Sequence, residues 1–172
     1  GRNNLKPGRV MSFKDHFSAQ ATDYARFRPD YPAGLFAWLA GIAPTPDTAW
    51  DCGTGSGQAA VGLAAHFRHV IATDPSRRQL DHAEPHPRVE YRQASAEVSL
   101  LDTASVDLVT VAQAIHWFDL EKFYAETKRV LKPGGAIAAW TYTLLDVEAG
   151  IDELLTDFYR NVVGPYWPPE RR

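Results

Sequence analysis

Trp50-Asp51-Cys52-Gly53-Thr54-Gly55-Ser56-Gly57 sets an acidic residue ahead of three glycines at alternate positions. Small apolar residues lead into it, and an alanine-rich stretch of helical pattern, Gln58 to Phe67, leads out. Glycines where a strand turns into a helix let the backbone come close to a ligand. The unpaired amides that open the helix then face that ligand. A carboxylate beside the turn repels a phosphate and attracts an ammonium group. The stretch therefore points to a nucleotide-like ligand that carries an amine rather than to a pyrophosphate. Two rival loops fail on the residues themselves. A phosphate loop needs a lysine after its glycines, and none follows here. A dinucleotide fingerprint starting at Gly53 needs its third glycine at position 58, which is Gln58.

Outward from this turn, strands and helices alternate. Thr48 to Cys52 reads as a strand and Gly57 to Phe67 as a helix. His69 to Thr73 is a second strand ending at Asp74-Pro75, and Ser76 is placed to cap a short helix through Glu84. Val89 to Gln93 is a third strand. Val106 to Val111 is the apolar, β-branched run of a buried fourth. Asp119 caps a helix carrying Phe123, Val130 and Leu131, and Lys132-Pro133-Gly134-Gly135 stops and turns the chain into a fifth strand, Ala136 to Thr141. Upstream, Pro32 opens a helix with Leu35, Trp38, Leu39 and Ile42 on one apolar face. Downstream, Val147 to Val163 is amphipathic, with Leu154, Leu155, Phe158 and Val162 together. Alternation of this kind predicts an α/β domain, doubly wound around a mainly parallel sheet. Ligands of such sheets sit at the carboxyl ends of the strands, where Asp51, Asp74, Ser95 and Gln113 fall.

The bulk properties narrow the field. The chain has 172 residues, 45% hydrophobic and 23% charged, which suits one ordinary globular domain. A net charge of −3 and the lack of a basic stripe argue against a nucleic-acid partner. One cysteine, Cys52, excludes an internal disulfide framework. No apolar run is long enough to span a bilayer, and Gly1 to Val10 has no signal-peptide core, so a cytoplasmic location is expected. Residues 1–10 read as an appended leader, 11–47 as an N-terminal helical cap with the first helix, 48–142 as the ligand-binding core, and 143–172 as the start of a helical substrate cap. The histidines show no metal-ligand grouping.

A series of motifs runs through the chain. Asp51 to Gly57 is followed by Asp74 at the end of the second strand, then Ala94-Ser95-Ala96-Glu97, Ser105-Val106-Asp107-Leu108-Val109, Ala114-Ile115-His116-Trp117-Phe118 and Arg129-Val130-Leu131-Lys132-Pro133-Gly134-Gly135. Upstream lie Phe17 through Tyr24 and Arg28-Pro29-Asp30-Tyr31-Pro32. In this order and spacing, over roughly residues 13–167, the chain resembles the class I S-adenosylmethionine-dependent methyltransferases, and within them the small-molecule, trans-aconitate methyltransferase-like branch. That family's fold continues with a sixth and seventh strand, for which no sequence remains before Arg172. Ser95 also stands where the family carries an aspartate.

The resemblance implies S-adenosylmethionine as cofactor and methyl transfer to a small-molecule acceptor. It places Gly53, Gly55 and Gly57 against the methionine part, Asp51 toward its ammonium, Asp74 on the ribose hydroxyls, Ser95 and the Ala96 amide at the adenine edge, and Gln113 near the methionine end. Tyr24 and Arg28 could close over the cofactor carboxylate. Each has a plain structural alternative. Asp51 could cap the turn, Asp74 could cap the helix from Ser76, Gln113 could bond local backbone, Arg28 could form a surface ion pair, and Tyr24 could be a packed aromatic. His116 is the one attractive general base, since an imidazole titrates near neutrality; its alternative is to orient a loop beside Trp117. Trp117, Phe118, Tyr142 and Trp167 are candidates for a substrate pocket or for core. Two other readings stay open: a nicotinamide-dependent oxidoreductase, for which Asp74 is equally well spaced, and a non-catalytic cofactor-binding module. No membrane partner is expected, and monomer and homodimer are both open.

Overall fold

The computed structural model describes residues 31–141, 149–163 and 165. They begin with α1 (Ala33–Ile42), β1 (Thr48–Cys52), α2 (Gln58–Ala64), β2 (His69–Asp74), α3 (Arg77–Leu80) and β3 (Val89–Gln93). They continue with β4 (Val106–Ala112), a 3-10 turn at Ile115–Trp117, α4 (Leu120–Val130) and β5 (Leu131–Trp140). The five strands form one sheet in the order β3-β2-β1-β4-β5, and every pairing is parallel. The chain winds outward from β1 to β3, then crosses to the other side of β1 to lay down β4. The direction therefore reverses between β1 and β4, which is where such a sheet opens a crevice.

Both faces of the sheet are covered, so alternate residues of one strand enter different cores. Ala49, Val70 and Leu108 pack with Phe36, Leu39, Leu63 and Phe67 from α1, α2 and the segment after α2. Trp50, Ile71, Val106 and Val109 pack with Phe123 and Val130 of α4 on the other side. Trp50 is fully buried, and its indole N–H donates to Thr73 Oγ1 at 2.9 Å, so this large ring leaves no polar debt in the core. The apolar face of α1 is the one the spacing predicts only in part: Leu39 is buried and Leu35 packs against the same core, while Trp38, at 60%, and Ile42 are exposed. Phe36 is buried as well. Gly62 of α2 explains the rotation, because a Cβ there would collide with the Phe36 ring. The missing side chain forms a socket that turns α1 toward Phe36.

The fifth strand also departs from expectation. It starts at Leu131, directly after α4, and pairs across the Lys132–Gly135 turn with a break in register. Val106 faces Leu131, but Leu108 already faces Ala136. Gly134 takes φ +78° within this bulge, which only glycine does cheaply. Asp119 accepts from the Lys122 amide at 3.3 Å, as its capping position predicts. Ser76 makes no side-chain cap, and the expected helix through Glu84 is the single turn α3.

The chain divides after Trp140 into two compact units. In the second, α5 (Ala149–Asp157) runs into a π-helical turn, Phe158–Val163, in which Asn161 Nδ2 donates to Asp157 at 2.6 Å. No helix among the described residues is long and apolar enough to cross a membrane.

Candidate functional site

The glycine turn leaves β1 at the crevice. Gly53, Gly55 and Gly57 take φ of +70°, +58° and +86°, left-handed values that side chains resist. The amides of Gly53 and Thr54 both donate to Thr73 O at 2.9 Å, binding the turn to β2. Protein packing accounts for two of the glycines. A Cβ on Gly53 would lie 2.7 Å from the Ala114 Cβ and 3.1 Å from Phe118 Cζ. A Cβ on Gly57 would run into the Tyr91 ring. The turn is thus wedged between the loop after β4 and a β3 side chain.

Two acids anchor it. Asp51 is fully buried and accepts from Thr54 Oγ1 at 2.6 Å and Thr110 Oγ1 at 2.9 Å. Its carboxylate thereby ties the turn to β4 from beneath. Asp74 is buried at the end of β2, where one oxygen accepts from the Gly55 amide at 2.9 Å and the other from the Ser76 amide at 2.8 Å. Each carboxylate oxygen can accept more than one hydrogen bond, so the bond from the Ser76 amide does not exclude the ribose-binding reading.

Gln113 closes the β4 side. It holds φ +59°, costly for a side-chain-bearing residue, while its amide donates to Trp140 O at 3.0 Å. Strain of this kind concentrates at ligand sites. The strained step delivers Ala114 against Gly53, and the 3-10 turn then presents His116 at the surface, its ring 4.8 Å from that of Trp117. Phe118 packs inward on Phe123 at 4.9 Å. Beyond β3, the Ala94 amide donates to Asp74 O at 3.3 Å, Ser95 bridges Val98, and Ala96 is buried in the same core as Trp50. Glu97 accepts from the Asp119 amide at 3.0 Å, which fixes it to the start of α4. Tyr24, Arg28, Tyr142 and Trp167 lie outside the described residues.

Sequence reasoning missed Thr54, Thr110 and Tyr91. Thr110 carried a faint signal, as the lone hydroxyl within an apolar strand. Tyr91 Oη donates to Glu84 O at 2.8 Å, and burial, then the charges of Asp51 and Glu84, push its pKa up to about 12. Burial, reinforced by Asp51, also pushes the Cys52 thiol well above its ordinary range, which removes it as a nucleophile. No group of three or more metal-ligating side chains occurs among the described residues.

A family model described as a methyltransferase domain matches residues 50–139, and a protein of Dictyostelium discoideum named as a methyltransferase is 40% identical over 93% of this chain. This chain belongs to the class I S-adenosylmethionine-dependent methyltransferases. A Saccharomyces cerevisiae relative, named as an S-adenosylmethionine-dependent methyltransferase, is 30% identical over 72% of the chain and 45% of its own length. A solved methyltransferase structure from Anaeromyxobacter dehalogenans superposes with a TM-score of 0.76 at 49% identity, over 84% of this chain and 62% of that one. This methyltransferase chain also spans 62% of the Dictyostelium protein, so it covers less than two thirds of these relatives. The family's cofactor is S-adenosylmethionine, and the residues present fit it. A left-handed glycine turn and the buried Asp74 carboxylate, bonded to the Gly55 amide, lie at the carboxyl ends of β1 and β2, beside the switch between β1 and β4.

Proposed function

We propose that the protein transfers the methyl group of S-adenosylmethionine to a small-molecule acceptor. The observation that carries this reading is the bond from the Gly55 amide to Asp74, made inside a left-handed glycine turn at the switch point. In this reading Asp74 takes the ribose hydroxyls, and Gly55 brings its backbone to the methionine part. Asp51 acts on the ammonium from beneath the turn, and Gln113 borders the methionine end. Ser95 and the Ala96 amide meet the adenine edge, and Tyr24 and Arg28 close over the carboxylate. In this reading residues 48–142 form the cofactor-binding core, 11–47 the N-terminal helical cap with the first helix, and 143–172 the start of a helical substrate cap.

When bound, the cofactor supplies an electrophilic methyl carbon whose sulfonium leaving group needs no acid. The protein's work is to hold donor and acceptor in line and to exclude water. A carboxylate acceptor needs no base. An acceptor that must lose a proton needs one, and in this reading His116, exposed just past β4, is the candidate base.

Calorimetry with S-adenosylhomocysteine and with NADH tests the reading on the whole protein. We expect the first to bind and the second not to. Binding of NADH alone would transfer the site to the oxidoreductase reading. Cofactor binding with no S-adenosylhomocysteine formed from any acceptor would leave a binding module.

A further inference from the structure

The glycine turn is braced from a direction that the motif itself does not reveal. Tyr91 stands on β3 opposite Ala72 of β2, and its ring reaches over to Gly57. Its hydroxyl donates to the Glu84 carbonyl at 2.8 Å, and the Glu84 amide donates to the Ser56 carbonyl at 3.4 Å. Ser56 and Gly57 are thereby held on both sides, by a ring and by the loop that the ring's hydroxyl fixes. Gly57 offers no side-chain cap to α2, whose first turn is closed by the backbone bond from the Val61 amide to the Gly57 carbonyl at 2.9 Å.

We propose that Tyr91 is a positioning residue for the cofactor: it sets the Gly55–Gly57 half of the turn, and its ring adds to the left-handed φ of position 57 a second reason for glycine there. The raised phenol pKa keeps the hydroxyl a donor across the working pH range, so the brace does not titrate. The inference rests on the proposed function, because it assumes that this half of the turn faces the methionine part of the cofactor. It implies a division of labour among the three glycines. Gly53 makes room for Ala114, Gly57 makes room for Tyr91, and the Gly55 amide bonds to Asp74.

Tyr91→Phe keeps the ring and deletes the donor. Calorimetry on the whole protein should show S-adenosylhomocysteine binding weakened about fivefold, the worth of one neutral hydrogen bond. Binding of 5′-methylthioadenosine, which lacks the amino-acid portion, should be unchanged. A general loss of structure would weaken both ligands together, so equal losses overturn the inference, as does no loss for either. Gly57→Ala should abolish S-adenosylhomocysteine binding, through the left-handed φ and the clash with the ring together, and a variant that binds as the wild type does refutes the fixed geometry of this half of the turn. A wild-type protein that binds neither ligand defeats the proposed function first, a result distinct from all of these.

Discussion

Asp51 and Asp107 are both buried carboxylates on neighbouring strands, yet they serve opposite ends of the sheet. Asp107 sits where β4 enters. It accepts from Lys132 Nζ at 2.8 Å, the Thr48 amide at 3.0 Å and Thr45 Oγ1 at 2.9 Å. These bonds join the entries of β1, β4 and β5, and the Lys132–Gly135 bulge is what returns the lysine beneath β4. Burial pushes the Asp107 carboxyl up, but the bonds from Lys132, Thr48 and Thr45 outweigh it and hold it below the usual carboxylate range. Asp51 sits where β1 leaves, and the hydroxyls it accepts from belong to the glycine turn and to β4. Burial and residue type are alike in the two, so neither separates an acid that braces the strand entries from one that holds the glycine turn. The end of the sheet does, because parallel strands place their turns, and hence their ligands, at the carboxyl edge.

The comparison breaks if substitutions at the two ends have the same consequence. Asp107→Ala should have the largest effect, lowering the unfolding free energy by about 3 kcal/mol in urea, since it leaves Lys132 half-buried without its partner. Cofactor affinity of the folded protein should hold, and a fall in it would move Asp107 into the site. Asp74→Ala should do the reverse, costing about 1–3 kcal/mol of S-adenosylhomocysteine affinity by calorimetry, the worth of charged hydrogen bonds. An unchanged dissociation constant would remove Asp74 from the site.

Glu126 supplies a control away from both ends. Its hydrogen bonds from Arg129, aided by Ser99 against the opposing effect of burial, bring its pKa down to about 2. A depressed carboxyl stabilises the fold above its unfolded pKa and loses that contribution on acidification. On the order of 2 kcal/mol should therefore disappear between about pH 4.5 and 2, and Glu126→Gln should flatten that part of the stability profile. A variant profile parallel to the wild type would contradict this. Asp51→Asn preserves shape and removes charge, so affinity should fall by about 1 kcal/mol with unfolding little changed. His116→Ala should matter least to binding, with cofactor affinity within about 0.5 kcal/mol of wild type for an exposed side chain. Turnover on an identified acceptor then separates a base from a loop-orienting histidine.

Much of this molecule was legible before folding. The sequence bounds Thr48–Cys52 and Val89–Gln93 as the structure does, because short β-prone runs flanked by turn residues leave little freedom. The glycines and Asp74 were legible because backbone sign and carboxylate chemistry are local properties. The face of α1 was legible only in part, since it depends on an empty socket at Gly62, remote in sequence. The start of β5 was not, because there a strand pairs straight through residues that locally spell a turn.

The amino-acid sequence by itself determined the alternation of strands and helices, the left-handed turn and the acids at strand ends, because each follows from the conformational range and charge of a few neighbouring residues. Only the tertiary structure decided which partners those residues meet. Thr110 reaching Asp51, Tyr91 filling the space at Gly57, and Lys132 neutralising Asp107 all join residues at least 25 positions apart. Such contacts depend on strand order and register, which arise only when the sheet is assembled.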